Sequence, residues 1–141
     1  MPNTPPRLVA GGNIYPCRFV KMSTAADDRG LQATANDAPI GISYPEGRYA
    51  PLSDVVTTNY HAIEGDPIGL YGDGEQCLLE LGSGGATRGG RLKADADGKG
   101  VAVATTGTTI QQFGAVALES GSESEKIRVF VLLGSERPAL T

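Results

Sequence analysis

Between residues 89 and 133 the chain reads GGRLKADADGKGVAVATTGTTIQQFGAVALESGSESEKIRVFVLL, a series of apolar runs too short for helices, each closed by glycine or charged turn residues. That spacing predicts consecutive strands, marked in turn by Leu92, by Val101 with Val103, by Val116 with Leu118, and by residues 127–133. The last is the strongest. In KIRVFVLL, Ile127, Val129, Val131 and Leu133 share one face, while on the other Arg128 gives way to Phe130 and Leu132, so burial becomes two-sided toward the end.

A weaker copy of the same plan lies upstream in CRFVKMSTAADDRGLQATANDAPIGIS, residues 17–43. Lys21 corresponds to Lys93, Gly30 to Gly100, Leu31 to Val101 and Gly41 to Gly114, with the length differences falling in turns. Two related β units are therefore expected. Strands are expected over 14–22, over 31–34 after an Asp27-Asp28-Gly30 turn, and from Ile40, and an extended segment over 55–63, with Pro51-Leu52-Ser53-Asp54 as an alternative short helical turn before it. Gly72-Asp73-Gly74 supplies the positive φ values of a hairpin turn between two further strands. Residues 82–90, GSGGATRGG, read as a surface loop.

A chain of 141 residues suits one domain with a core of its own, and 20 Gly, 9 Pro and no Trp favour turns and small-residue strands over packed helices. Its organisation reads as an extended arm over 1–13, a single β domain over 14–134 and a polar tail over 135–141; Pro2, Pro5, Pro6 and the Gly11-Gly12 pair oppose a central strand in the arm. The net charge of −4 repels a phosphate backbone, so nucleic acid is not expected as a partner. No window is apolar enough for a membrane helix, and the start lacks the cationic and apolar regions of a secretory signal. Synthesis in a reducing cytoplasm follows, with Cys17 and Cys77 as free buried thiols; a disulfide between them stays open.

Chemistry-bearing residues are sparse. The single histidine, His61, lies in TTNYHAI without a G-x-S-x-G nucleophile turn, and a hydrolase pairing it with Asp54 or Asp66 is the weakest reading. One His and two distant Cys exclude the usual zinc spacings. Asp95-Ala96-Asp97-Gly98 starts like a calcium loop, but Thr106 stands where a bidentate Glu is needed, so the segment reads as a solvated turn. The glycines of 82–90 lack the G-K-[ST] ending of a phosphate cradle, and Glu119, Glu123 and Glu125 fall in a polar turn. No catalytic residue, cofactor or metal is expected. Tyr44, Tyr49, Tyr60 and Tyr71 leave a second class open, a carbohydrate- or ligand-binding β module such as a surface-adhesion domain.

Three elements carry a resemblance: Arg91-Leu92-Lys93-Ala94-Asp95 with Gly98-Lys99, then Gly114-Ala115-Val116-Ala117-Leu118-Glu119, then Ile127-Arg128-Val129-Phe130-Val131. With CRFVK and PIGIS upstream, residues 13–134 resemble the small bacteriophage capsid decoration, or cement, proteins. The resemblance implies an all-β, small β-barrel or β-tulip-like domain, a homotrimer on the outer surface of the virion, and the major capsid protein as partner, its neighbouring subunits joined and the head stabilised. It implies no enzyme. On that basis Pro2, Pro5, Pro6 and Arg7 in the arm, together with Arg18, are the expected capsid contacts.

Overall fold

The computed structural model describes residues 8–25, 28–35, 37–45, 60–104 and 110–136. Every regular element among them is a strand: β1 (Val9–Ala10), β2 (Phe19–Met22), β3 (Arg29–Gln32), β4 (Gly41–Ser43), β5 (Leu70–Tyr71), β6 (Gln76–Glu80), β7 (Arg91–Ala94), β8 (Gly100–Ala102), β9 (Gln111–Ala117) and β10 (Lys126–Glu136). They form two five-stranded sheets, ordered β1-β3-β2-β4-β5 and β6-β10-β9-β7-β8. The all-β class and the two related units read from the sequence are both present.

The relation between the units extends to the pairing register. Lys21 stands opposite Leu31 and Met22 opposite Gly30; Lys93 stands opposite Val101 and Ala94 opposite Gly100. Val20 faces Gly41 and Phe19 faces Ile42, just as Leu92 faces Ala115 and Arg91 faces Val116. Ile42 then meets Tyr71, and Val116 meets Phe130. Even the parallel edge recurs, since Ala10 lies beside Gly30 and Leu81 bridges in parallel to Gly100. The second bridge brings the chain just past β6 to β8 and curls the second sheet toward a barrel.

One correspondence shifts by a residue. Gly41 is matched by Ala115, not by Gly114, because β9 carries a bulge opposite Leu92 and Lys93 and the extra residue is Gly114. A Cβ on Gly114 would lie 2.6 Å from both the Phe19 ring and Pro39, so only glycine lets the first sheet settle there. The expected hairpin at residues 72–74 is also corrected. Gly74 does have φ 93°, but β5 pairs with β4 and β6 pairs with β10, so the turn is the junction where the chain leaves one sheet for the other. Asp73 fastens it by accepting the Leu133 N–H at 3.0 Å.

Other boundaries move as well. The strand expected over 14–22 begins only at Phe19, because Cys17 turns the chain with φ 57°. Val9 and Ala10 of the expected arm form β1, and Ser135 and Glu136 of the expected tail pair with Gln112 and Gln111. Most of the extended segment expected over 55–63 lies outside the described residues.

The larger core joins both sheets. Phe19, Ala33 and Ile42 of the first pack with Leu79, Leu81, Leu92, Ala115, Ala117, Ile127, Val129 and Val131 of the second. A smaller core, Ala10, Ile14, Val20 and Ala62 flanked by Ile40, Ile68 and Leu70, fills the other face of the first sheet. Adjacent residues of β2 thus serve different cores, as strand alternation requires. A Cβ on Gly41 would run into the Tyr71 carbonyl. Gly41→Ala should therefore cost about 2 kcal/mol through forced backbone displacement, read as a lower urea midpoint at unchanged slope.

Candidate functional site

Charged and aromatic side chains meet one another at several places among the described residues, and the first is the seam between the two units. Pro16 and Cys17 turn the chain so that Arg18 reaches the end of β6 and the β7–β8 turn. Its Nη1 donates to the Asp97 carbonyl at 2.9 Å and its Nη2 meets the Glu80 carboxylate at 3.3 Å. Lys99 approaches the same Glu80 oxygen at 3.5 Å, and the guanidinium lies 4.8 Å from the centre of the Tyr15 ring. Gln32 completes the seam, donating to the Asp97 carbonyl and accepting the Tyr15 N–H, both at 2.9 Å.

Arg18 was an expected capsid contact, and its position corrects that expectation. Only 9% of the residue is exposed, and its charge is compensated by Glu80 of the same chain. A guanidinium so placed holds units together instead of reaching outward. Pro2, Pro5, Pro6 and Arg7 lie outside the described residues.

The second place is a clasp that occurs twice. Lys21 Nζ meets Asp37 at 2.9 Å, and Asp37 in turn accepts the Thr34 N–H at 2.8 Å. In the second unit Lys93 Nζ donates to Gln111 at 2.8 Å, and Gln111 accepts the Ala104 N–H at 2.8 Å. Burial draws the Asp37 carboxyl upward, but the Thr34 bonds and the Lys21 ammonium outweigh it and hold the group below its ordinary range. The Lys21–Asp37 clasp walls a groove of about 420 Å³ lined also by Met22, Leu31, Ala38 and Ile40.

The third place is aromatic. Tyr44 lies 4.7 Å from Tyr71 and 6.1 Å from His61, ring centre to ring centre, and Tyr15 lies 4.9 Å from Tyr60. The hydrogen bond with Tyr60, and then its charge, raise the Tyr15 phenol above its ordinary value. Gly69 N–H donates to His61 Nε2 at 2.9 Å, so that nitrogen serves as an acceptor for the main chain. Asp66 accepts the Ile63 N–H at 3.1 Å; Asp54 and Tyr49 lie outside the described residues. These rings pack on one another and on the chain, which accounts for their gathering without a ligand.

Cys17 and Cys77 are both buried, and neither is in a disulfide. Burial first, then Cys17 and Glu75, push the Cys77 thiol up to about 12, which removes it as a nucleophile. Among the described residues no three His, Cys, Asp or Glu side chains converge as metal ligands, and no helix is long and apolar enough to cross a membrane.

No family model matches the chain, and no curated protein sequence does. Solved structures do share its shape. The N base of head fiber gp8.5 of bacteriophage phi29 matches with a TM-score of 0.58, over 89% of this chain and 90% of that one, at 18% sequence identity. At that identity the likeness is one of fold.

Two outcomes test the seam and the clasp. Arg18→Ala leaves Glu80 with Lys99 alone and removes one of the two donors to the Asp97 carbonyl, and should cost about 3 kcal/mol in a denaturant titration. Asp37 has a depressed folded value, so its contribution is full above the ordinary carboxylate range and disappears as pH falls through that lower value. Asp37→Asn should lose about 1 kcal/mol at neutral pH and show a shallower acid limb of stability against pH; a limb as steep as the parent's would mean that other carboxylates set it.

Proposed function

We propose that this chain is a capsid decoration protein: it binds the outer surface of a bacteriophage head as a homotrimer and stabilises the shell by joining neighbouring major capsid subunits. The observation that carries the reading is the fold shared with a phage head fiber base over nearly the whole of both chains. Sequence motifs in both units point the same way, and the described residues offer binding surfaces instead of a catalytic constellation. The role is structural.

Physically, the task needs a body that keeps its shape and contacts that reach sideways. Two β units sharing one core supply the body. Residues 1–7 would reach about 20 Å if extended, and β1, which follows them in the chain, adds a parallel strand to the sheet beside β3. Pro2, Pro5 and Pro6 restrict that segment before it binds, and Arg7 adds a charge for an acidic shell; chain so stiffened loses less entropy on docking. Each contact is weak alone. Held in one trimer, three of them act at high effective concentration.

Deletion of residues 1–7 tests the arm and spares β1, whose Ala10 belongs to the smaller core. The truncated protein should keep its solution mass and thermal midpoint and lose binding to undecorated heads in a sedimentation assay. Binding equal to the full chain would move the capsid contact to the folded body.

A further inference from the structure

The two units match bond for bond where the first strand of each meets the last. Ala10 N–H donates to the Asp66 carbonyl at 2.8 Å and the Ala10 carbonyl accepts the Gly65 N–H at 2.9 Å, just as Leu81 N–H donates to the Glu125 carbonyl at 2.8 Å and the Leu81 carbonyl accepts the Ser124 N–H at 2.9 Å. Val9 bridges to Pro67 where Glu80 pairs with Lys126, and the Leu8 carbonyl accepts the Ile68 N–H at 3.0 Å where Leu79 pairs with Ile127. Beyond that point the units part. In the second, β6 continues with Leu78 opposite Arg128, Cys77 opposite Val129 and Gln76 opposite Phe130. In the first, the described residues begin at Leu8, and β5, the counterpart of β10, is the last strand of its sheet. Tyr44 N–H donates to the Gly69 carbonyl at 3.1 Å and Gly69 N–H turns to His61, so strand alternation points the Leu70 N–H and carbonyl away from β4, along that edge. Leu70 is half-buried there, whereas its counterpart Val129, opposite Cys77, is fully buried.

We infer that residues 5–7 of the same chain seat along this edge of β5 in the free protein, with Pro6 beside Leu70, and that docking on the head draws them off it. Counting back from Leu8 opposite Ile68 puts Arg7 at Gly69, Pro6 at Leu70 and Pro5 at Tyr71, where the second unit has Leu78, Cys77 and Gln76. By alternation Pro6 shares a face with Ala10, so it extends the smaller core over Leu70. The two seats differ in one respect. Leu70 N–H can donate to the Pro6 carbonyl, but Pro6 has no N–H to return to the Leu70 carbonyl, so a pair that β6 closes with two bonds is closed here by one. The seat is therefore releasable, and it is read at a single amide instead of in the thermal midpoint. Release onto a capsid rests on the decoration reading; the seat itself does not.

Amide hydrogen exchange followed by NMR on the full chain, with head binding measured in parallel, tests both parts. The Leu70 amide should exchange about tenfold or more slower in the parent than in the chain lacking residues 1–7, while the Gly69 amide, bonded to His61, should keep its rate in both and show that β5 is intact. Should the deletion disturb Gly69 as well, Pro6→Asp in the full chain, which sets a charge against Leu70, should free the Leu70 amide alone. Pro6→Ala returns the missing donor; it should slow Leu70 further and weaken binding to undecorated heads by the same factor. A Leu70 amide that exchanges equally fast in parent and variants overturns the seat. Protection that grows with protein concentration gives the edge to a neighbouring copy's arm and overturns the own-chain seat. Head binding unchanged by Pro6→Ala overturns the release. A protected Leu70 in a chain that ignores heads removes decoration and leaves the seat, whereas an unprotected Leu70 in a chain that binds heads through residues 1–7 removes the seat and leaves decoration.

Discussion

The fold depends on how residues 17–19 are held between the two units. Glu80 N–H donates to the Cys17 carbonyl at 2.9 Å, and Phe19 N–H donates to the Gly98 carbonyl at 2.8 Å. A stretch of the first unit is thereby stitched to β6 on one side and to the β7–β8 turn on the other. Alternation then sends Phe19 into the shared core over Gly114 and leaves Arg18 to close the seam with Glu80 and Asp97. Burying the Phe19 side chain contributes about 2–3 kcal/mol, and the charge-assisted bonds of Arg18 give the seam a fixed geometry. Without this stitch the smaller core, four fully buried residues and three flanking ones, would have to sustain the first sheet alone, and so small a core is marginal.

Divergence between the units follows from their different surroundings. The register is common to both, but the clasp acceptor is a carboxylate in the first and an amide in the second. Gln111 is 3% exposed, and there a neutral acceptor that also donates to the Ala104 carbonyl at 2.9 Å avoids the cost of desolvating a carboxylate. Asp37 sits nearer solvent, where the ion pair with Lys21 is tolerable. The same reasoning separates Gly98 from Asp28, which occupy equivalent turn positions with φ 76° and 59°. Gly98 is pressed against Gln32, Ala33 and Phe19, and a Cβ there would lie 2.9 Å from the Gln32 side chain, whereas the exposed Asp28 has room for its side chain.

Much of this was legible in the residues, for definable reasons. Lys21 and Lys93, or Gly30 and Gly100, could be aligned because a lysine across from a β-branched or leucine partner and a glycine where another side chain approaches are demands of the strand pair itself. Gly114 misled by one position because a bulge is invisible to periodicity: two successive residues point the same way, and the apolar pattern reads through them. Gly72-Asp73-Gly74 announced a turn correctly, yet turn chemistry fixes only the local reversal and not which sheet the next strand joins. Arg18 was misplaced because an arginine in an apolar run looks the same whether it reaches solvent or a buried carboxylate. Its partner Glu80 lies 62 residues away, and no local signal connects them.

A protein that must hold a shape against a larger surface gains more from such internal stitching than from tight pockets. Binding through preformed faces loses little conformational entropy, so modest contact areas suffice once several are linked. Duplication leaves the second unit with an outward counterpart of the face that the first unit buries against it. What selection then has to change is the rim. Arg91 where the first unit has Phe19 keeps the outer face soluble in the free chain, since a guanidinium lying 5.0 Å from the centre of the Phe113 ring covers apolar surface while presenting its charge to water. Val116 and Phe130 keep the apolar centre of their counterparts, the buried Ile42 and the half-buried Tyr71, so the two faces differ most at the rim, where one of them meets water.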